Sequence, residues 1–294
     1  METHNKLLED ASAHGIVFID LRIDYAFKLI FGTEGNEDLL LELVNAILPD
    51  KQISTVHLDP QEQQSLRREG RRSVIDVKCT AEDGSSLIIE MQIRSQNDFN
   101  DRMVFYSSFP IINRLRRGKN EDYKITPIYM VAITDFIVPG IRNNADLINH
   151  YTIRNIKDNG IEFTDSIHYV TVELPKLPKT LLEAKDTTEW ILYTIKHIGS
   201  MKTMPNEYRG TYLEKIFGLS NFAAMSELTQ QEYLAVFMAE LDEKSRLRSA
   251  REDGLAEGRE ALYEAARRML ADGMEVSAIS RYTGLTSEQI HQLS

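Results

Sequence analysis

The stretch Ser73–Arg94 reads SVIDVKCTAEDGSSLIIEMQIR, two apolar segments joined by a short polar one. Ser73–Thr80 and Ser86–Arg94 have the length and the content of β-branched residues that favour strands. The dipeptide Asp83-Gly84 between them is a strong hairpin-turn signal. The stretch therefore predicts an antiparallel β-hairpin.

One acidic residue stands inside each apolar segment of this hairpin, Asp76 in VIDV and Glu90 in LIIEM. If the strands pair around Asp83-Gly84, the two carboxylates lie roughly opposite each other and repel unless a cation lies between them. Hard oxygen ligands favour Mg²⁺ or Mn²⁺ over zinc. The pattern indicates a metal site, and two ordinary solvent-facing strand acids are the alternative.

Two polar residues share the faces of these acids, because side chains alternate along a strand with a period of two. Gln92 follows Glu90 by two positions, and Lys78 follows Asp76 by two. Lys78 is a candidate source of positive charge beside the carboxylates. An exposed strand lysine without a role in a site explains it equally well.

Outward from the hairpin, the apolar pattern alternates between helical and strand-like segments. Residues 1–15 are expected to form a loose arm, and the chain after about residue 180 is expected to be helical. Pro110 predicts a kink or break in the helix that contains it. Helices are predicted at Asp24–Gly32, from Glu37 to Leu48 and at Asn97–Gly118, and further strands at Ile53–Leu58, Ile125–Phe136, Tyr151–Ile156 and Ile167–Leu174.

The composition is that of an ordinary globular protein, with 42% hydrophobic and 27% charged residues in a chain of 294. Its 34 basic and 45 acidic side chains give a net charge of −11, so the mean field repels nucleic acid. A local basic surface or a carboxylate-bound metal would have to reverse that repulsion locally. Cys79 is the single cysteine, which excludes an intrachain disulfide and fits a reducing compartment.

Several other classes of site and location are excluded by the sequence. The chain lacks the motifs G-x-S-x-G, G-x-G-x-x-G and H-E-x-x-H and a Walker loop, and its seven histidines have no ligand-like spacing. Its apolar runs fall far short of the roughly 20 residues that a membrane span needs. We therefore expect a cytoplasmic protein that does not contact membranes.

The end of the chain resembles a helix-turn-helix. Val276–Tyr282 predicts a short helix, Thr283-Gly284-Leu285 a turn, and Thr286 with Gln289 a capping box for a last helix. The positions that would read DNA are acidic or neutral, which favours packing or self-association over DNA reading. These positions are Ser287, Glu288, Gln289 and His291.

Taken in order, these segments resemble the PD-(D/E)xK nuclease superfamily and, within it, the Rpn-like PD-(D/E)xK nuclease family transposases. The resemblance covers nearly the whole chain. It rests on DYAFKLIFG at Asp24–Gly32, LLELVNAILPD at Leu40–Asp50, the hairpin Ser73–Gln92, the R-x-x-x-Y of Arg102 and Tyr106, VELPK at Val172–Lys176, and the tail Ala265–Ile290.

The resemblance implies an α/β fold with a restriction-endonuclease-like core of order αβββαβ, a mixed sheet flanked by helices, and a C-terminal all-helical region. It implies a metal-dependent DNA endonuclease, using Mg²⁺ or Mn²⁺, that is associated with mobile elements or recombination. The alternative is a nuclease-fold module that binds nucleic acid or a protein partner with little or no catalysis. Nothing in the sequence points to strand transfer in addition to cleavage.

In this family Asp76 and Glu90 would hold the metal. Gln92 stands where the wider superfamily has lysine, so Lys78, Lys28 and Arg102 are candidates for the missing positive charge. Asp24 is either a third acid or a helix cap. Arg102 and Tyr106, at i and i+4, either contact phosphate or leave Arg102 to a surface pair with Asp98.

A basic patch flanks the hairpin in sequence and would contact the DNA backbone, unless it is solvated loop charge. It comprises Arg67, Arg68, Arg71, Arg72, Arg114, Arg116, Arg117 and Lys119. The predicted organisation is a nuclease-like domain at 16–178, a helical extension at 179–245, and a charged linker helix with the small tail at 246–294. Whether the chain forms a homo-oligomer stays open.

Overall fold

The computed structural model describes residues 2–59, 77–95, 98–116, 124–139 and 144–293, and of residues 2–4 and 113–116 it describes the backbone alone. The chain divides into two compact units, Met1–Leu234 and Ala235–Ser294. The first unit contains the sheet and the helices that cover it. The second unit is helical.

Six α-helices and six strands, with the start of a seventh α-helix and six single-turn 3-10 helices, build the described part of the first unit. The helices are α1 Glu2–Ala13, α2 Asp24–Phe31, α3 Glu37–Ile47, α4 Phe99–Arg116, α5 Thr187–His197, α6 Tyr212–Ser220 and the beginning of α7 Glu227–Ala271. The strands are β1 Val56–Leu58, β2 Val77–Ala81, β3 Ser86–Gln92, β4 Ile128–Thr134, β5 Ile148–Arg154 and β6 Glu162–Glu173.

The six strands form one mixed sheet of order β1-β2-β3-β4-β6-β5. β1, β2 and β3 pair antiparallel, β3, β4 and β6 pair parallel, and β5 returns antiparallel along β6. β4 lies between two parallel neighbours and is buried almost throughout, as its continuous apolar sequence predicted. This sheet, flanked by helices, confirms the α/β fold class that the resemblance implies.

The predicted hairpin is formed by β2 and β3. Val77 pairs with Ile89 and Lys78 with Ile88, and the strands are joined through the turn at Asp83-Gly84. Gly84 has φ +82°, a left-handed conformation that glycine adopts without strain. The antiparallel pairing predicted from the sequence is therefore confirmed for the described residues of β2.

Helix α4 covers one face of the sheet through an apolar cluster. Ile88 on β3 and Met130 on β4 pack in this cluster against Phe99, Met103 and Tyr106 of α4. Of the kink or break predicted at Pro110, the break is absent, because the helix continues through the proline. Packing of this buried helical face outweighs the local penalty of the proline.

Helices α2 and α3 lie on the other side of the hairpin. Val77 points to the face opposite Lys78, and a Cβ placed on Gly32 at the end of α2 would lie 3.2 Å from Val77 Cγ2. α3 buries Leu40, Leu43 and the other apolar positions of its predicted face. The sheet is thus covered from both sides at β3, whereas the α4 side of β2 is only partly buried.

The helical segments that follow the sheet in sequence pack within the same unit against α3, which precedes the sheet. Thr188 on α5 donates to the carbonyl of Ala46, and Lys215 on α6 forms an ion pair of 2.6 Å with Asp38. Residues 179–234 therefore share a compact unit with the sheet. The sequence placed boundaries at 178 and 245, whereas the compact units divide after Leu234.

The N-terminal arm differs from its prediction. Glu2–Ala13 is a helix, and Ala11 is buried with 2% of its surface exposed. The segment is polar and weakly amphipathic, so its pattern alone did not indicate a helix. Burial of one face stabilises such a helix where intrinsic propensity does not.

The second unit has its own small core. The end of α7 packs with α8 Val276–Thr283 and α9 Ser287–His291 around Ala266, Ile279 and Ile290. Gly284 ends α8 with φ +73°, and Thr286 caps α9 in a capping box with Gln289. The two short helices and the cap match the predicted helix-turn-helix-like tail.

Candidate active site on the central hairpin

Glu90 is an acidic side chain buried in the middle of the sheet, with 9% of its surface exposed. It lies on β3 between β2 and β4, where its backbone pairs with Ala132. Side chains two residues apart share a face, so Glu90 lies on the same face as Ile88, which packs against α4. A carboxylate in such a position is costly unless charged or polar partners compensate for its lost hydration.

The principal compensating contact to Glu90 comes from α4. Arg102 Nη2 lies 2.8 Å from Glu90 Oε1 and 3.2 Å from the hydroxyl oxygen of Tyr106. Tyr106 is anchored in the apolar cluster beneath α4 with 6% of its surface exposed. The i, i+4 pair predicted from the sequence therefore meets the hairpin at its buried carboxylate.

Helix α2, which packs against the opposite face of the hairpin, adds two more charges that act on this carboxylate. Lys28 Nζ lies 3.0 Å from Asp24 Oδ1, and the charges of both residues act on Glu90. The N-cap position of α2 is Ile23, so Asp24 is the first helical residue and does not cap the helix. Of the residues that the sequence singled out, Arg102 thus contacts both Glu90 and Tyr106, and Asp24 and Lys28 act on Glu90 through their charges.

The protonation behaviour of Glu90 and Arg102 reflects their burial and mutual attraction. Burial raises the pKa of Glu90, the charges of Arg102 and Lys28 oppose that rise, and Asp24 adds to it. Burial alone would lower the pKa of Arg102, but the hydroxyl of Tyr106 and the charge of Glu90 raise it. The site therefore keeps a permanent cation beside a carboxylate that binds a proton more readily than an ordinary one.

Gln92 and Lys78 share the face of Glu90, and each is engaged locally. Gln92 Nε2 donates to the carbonyl of Arg94 at 3.1 Å. Lys78 Nζ lies 2.7 Å from Asp59 Oδ2, with both side chains about a quarter exposed. Lys78 pairs with Ile88 in the sheet, which places it on the α4 side of the hairpin.

Several residues predicted for the site lie outside the described part of the chain. Asp76, the second predicted carboxylate, precedes Val77 and falls in the undescribed stretch 60–76, which also contains four of the patch arginines. Arg117 and Lys119 fall in the stretch 117–123. Arg114 and Arg116 lie on α4, where the backbone alone is described.

An ion-pair network at the end of β4 was not predicted from the sequence. Arg22 binds Asp20 at 2.7 Å and Asp135 at 2.9 Å, and the backbone N–H of Asp135 donates to the carbonyl of Gln92. The network joins the segment before α2 to the end of β3, next to Glu90. The only sequence signal was an acid directly after the β4 strand and an arginine two residues before Asp24.

The donors at this site fit a hard divalent cation. Glu90 and Asp24 offer carboxylate oxygens, the ligand type that Mg²⁺ and Mn²⁺ prefer. Among the described residues no group of three or more His, Cys, Asp and Glu side chains is arranged to hold a metal. A complete set of ligands would thus need a donor from the remaining chain or from substrate and water.

Cys79 does not belong to this chemistry. It lies on the opposite face of β2 from Lys78 and is fully buried. Burial and the nearby charge of Asp59 raise the pKa of its thiol to about 12, so it stays protonated.

Within the described residues, no helix is both long and apolar enough to span a bilayer.

Comparison with known proteins gives two family matches. A family model described as "PD-(D/E)XK nuclease family transposase" matches residues 21–250, which include the whole sheet and α2 to α6. A second model, described as "Rpn/YhgA-like nuclease family, C-terminal HTH domain", matches residues 259–294, which include α8 and α9. Neither the curated proteins nor the solved structures contain a detectable match to this chain.

Proposed function

We propose that this chain, which belongs to the PD-(D/E)XK nuclease family transposases, is a metal-dependent endonuclease. Its reaction would be the hydrolysis of DNA phosphodiesters. The observation that carries this proposal is the buried Glu90 with charged side chains of α2 and α4 around it. A buried carboxylate beside a permanent cation is expensive for a purely structural sheet. Functional sites are where such arrangements cluster.

Glu90 and Asp76 are the proposed metal ligands, with Mg²⁺ or Mn²⁺ as the ion. Asp76 directly precedes Val77, whose partner in the hairpin is Ile89, the neighbour of Glu90. Opposed acids on paired strands need a cation between them. When bound, such an ion lowers the pKa of a water ligand and neutralises charge on the scissile phosphate.

The protein side chains would orient water and substrate around that ion. Gln92 lies on the face of Glu90, where its amide can hydrogen-bond a water or a phosphate oxygen. An amide supplies no positive charge to the developing phosphorane, so a cation must come from elsewhere. Among the described candidates Lys78 is ion-paired with Asp59 and Lys28 with Asp24, whereas Arg102 contacts Glu90 directly, and we assign Arg102 this role.

A plasmid-nicking assay with purified full-length protein tests this function. Cleavage is expected with Mg²⁺ or Mn²⁺ and is expected to disappear with EDTA. The rate of cleavage is expected to fall by about 10²-fold or more in Asp76→Asn and in Glu90→Gln. The matched control is Glu162→Gln, the same carboxylate-to-amide change at a residue of β6. Glu162 forms an ion pair of 3.5 Å with Arg154. The control is expected to cleave like the wild type.

Two results would count against hydrolysis at this hairpin. The first is cleavage that persists in both acid variants, which would place any activity elsewhere or in a contaminant. The second is an absence of cleavage by the wild type with every metal while DNA is still bound. That second result would favour the alternative function, a nuclease-fold module that binds nucleic acid or a protein partner without hydrolysing DNA.

One specific observation favours that alternative. Gln92 stands at the position of the superfamily's lysine, and its amide is turned to the carbonyl of Arg94. The net charge of −11 also makes strong nonspecific affinity for DNA depend on a local surface. The eight-residue basic patch is the proposed surface, and its contacts with phosphate would be salt-sensitive.

The second unit is proposed to assist the nuclease. Its match to a C-terminal HTH domain supports a role in binding DNA, while its acidic or neutral positions on α9 favour packing or self-association. Deletion of residues 246–294 separates these roles. Lost affinity for DNA at an unchanged number of subunits per particle indicates DNA binding, and a smaller number of subunits indicates that the tail drives self-association.

The cellular setting is also a proposal. An association with mobile elements or recombination follows from the family description, and a cytoplasmic location follows from the use of a single reduced cysteine. Neither affects the chemistry assigned to Glu90.

A further inference from the structure

We propose that Arg102 is a displaceable counter-ion of Glu90. A divalent cation replaces Arg102 at the carboxylate, and the freed guanidinium of Arg102 then contacts the phosphodiester. This inference rests on the function proposed above. It concerns how one guanidinium serves two anions in turn, the carboxylate that would hold the metal and the phosphate that the metal would activate.

The geometry places Arg102 where a metal ion would compete with it. Its Nη2 lies 2.8 Å from Glu90 Oε1, which is the distance of a charge-assisted hydrogen bond. A guanidinium and a divalent ion on one carboxylate repel each other, and this repulsion is strong in a partly buried site. Only 11% of the Glu90 side chain is exposed, so solvent screens the repulsion poorly.

Arg102 also has the means to move without being lost to solvent. Its side chain is 28% exposed, and Tyr106, one turn further along α4, bonds the same Nη2 at 3.2 Å. Tyr106 is fixed in the apolar cluster, so its hydroxyl stays in place when Glu90 changes partner. A guanidinium held there presents a planar fork of donors of the kind that phosphate oxygens accept.

The other cations near this face are less suited to the role. Lys78 is held by Asp59 at 2.7 Å, and Lys28 pairs with Asp24 one turn away on α2. Arg102 is the described cation in direct hydrogen-bond contact with Glu90. A site that lacks the superfamily's lysine can thus obtain a phosphate-binding charge from α4.

Calorimetric titration of the full-length protein with MnCl₂ tests the first half of the proposal without any turnover. Arg102→Gln is expected to bind Mn²⁺ about tenfold more tightly than the wild type, because a like charge has been removed. Arg102→Lys keeps the charge and is expected to stay near the wild type. Arg154→Gln, which breaks the surface pair with Glu162 and changes net charge equally, is the matched control and is expected to leave the affinity unchanged.

The second half is tested with a short fluorescent DNA duplex in saturating Ca²⁺, which takes the place of the catalytic ion. Arg102→Gln is expected to bind the duplex more weakly than Arg154→Gln. Opposite changes, tighter metal and weaker duplex, distinguish a displaceable counter-ion from a structural residue, whose loss would weaken both. Circular dichroism melts confirm that each variant is folded.

The outcomes separate this inference from the function on which it rests. If Mn²⁺ binds and Glu90→Gln abolishes binding, but Arg102→Gln leaves or weakens the affinity, the counter-ion role is wrong and the metal site stands. If Arg102→Gln binds the duplex as well as Arg154→Gln does, the phosphate contact is wrong. If Glu90→Gln does not change Mn²⁺ binding, the metal assignment itself fails.

Discussion

Arg22 Nη1 lies 2.9 Å from Asp135 Oδ2 and joins two segments that are 113 residues apart in the chain. The same guanidinium is bound to Asp20, and the backbone of Asp135 is bonded to Gln92 at the end of β3. Both aspartates are mostly buried, with 17% of each side chain exposed. The network fixes the approach to α2, and with it Asp24 and Lys28, against the edge of the candidate site.

Replacement of Arg22 by glutamine is expected to destabilise the protein by roughly 1–3 kcal/mol, because two mostly buried carboxylates lose a charged donor. Urea denaturation followed by circular dichroism measures the change. Arg154→Gln is the control, since its more exposed pair with Glu162 contributes little. Equal stability of the two variants would show that the network does not hold the segment before α2.

Gly199 and Gly218 are expected to respond in opposite ways to alanine. A Cβ on Gly199 would lie 2.6 Å from Asp20 Cβ and 2.8 Å from its Cα, whereas nothing lies within 4 Å of a Cβ on Gly218 in α6. Gly199→Ala is expected to cost about 1–3 kcal/mol through overpacking against backbone. Gly218→Ala is expected to gain about 0.5–1 kcal/mol from helix propensity, and thermal melts of the two variants would show whether their signs differ.

A pair of histidines on β5 and β6 makes stability depend on pH. His150 Nε2 lies 3.0 Å from His168 Nδ1, and His168 Nε2 lies 2.6 Å from the carbonyl of Asp165. A carbonyl only accepts, so His168 donates from Nε2 and its Nδ1 accepts from His150. Burial lowers the pKa of both rings, and the mutual repulsion of their charged forms adds to the effect on His150.

The sign of the pH effect follows from these lowered values. The unfolded histidines bind protons at about pH 6.5 while the folded ones do not, so acid favours the unfolded state. The stabilisation is complete above that pH and is lost as the pH falls toward the lower folded values. We expect the free energy of unfolding to drop between about pH 7.5 and 5, where most carboxylates remain ionised.

The double variant His150→Gln, His168→Gln tests the origin of that slope. It is expected to flatten the dependence in part, since burial also lowers the pKa of His197. Urea denaturation at several pH values gives the comparison. A slope identical to that of the wild type would assign the effect to His197 or to other groups.

The hairpin was predictable because its signals are local. The turn at Asp83-Gly84 fixes the register by itself, and the alternation of side chains then sets which residues share the face of Glu90. The continuous apolar sequence of β4 likewise predicted its central place. Each of these inferences needed only residues within about ten positions of one another.

The contacts that shape the site were not predictable, because they join distant elements. The bond from Arg102 to Glu90 depends on how α4 crosses the sheet, and the sequence indicated only phosphate or Asp98 as a partner of Arg102. The bond from Lys78 to Asp59 depends on the pairing of β1 with β2. In both cases periodicity indicated the face of an element, and tertiary packing decided which charge lies opposite.

Lys78 gives the most direct comparison between the sequence-based and the structure-based assignment of positive charge. If Lys78 stabilised the transition state, Lys78→Gln would lower the rate of cleavage by about 10² to 10³. Its ammonium is instead neutralised by Asp59, which also accepts a hydrogen bond of 2.7 Å from Thr80. We therefore expect a much smaller loss, on the order of a few-fold, from local loosening of the β1–β2 edge.

The measurement is the initial rate of plasmid nicking at saturating Mg²⁺, with Arg102→Gln assayed in parallel. The larger loss of rate is expected in Arg102→Gln, because Arg102 contacts the buried carboxylate of Glu90, whereas Lys78 is paired with Asp59. A loss in Lys78→Gln as large as that in Glu90→Gln would mean that Lys78 leaves Asp59 when substrate binds. The positive charge would then come from the hairpin itself, which is one of the alternatives that the sequence left open, and α4 would only hold Glu90 in place.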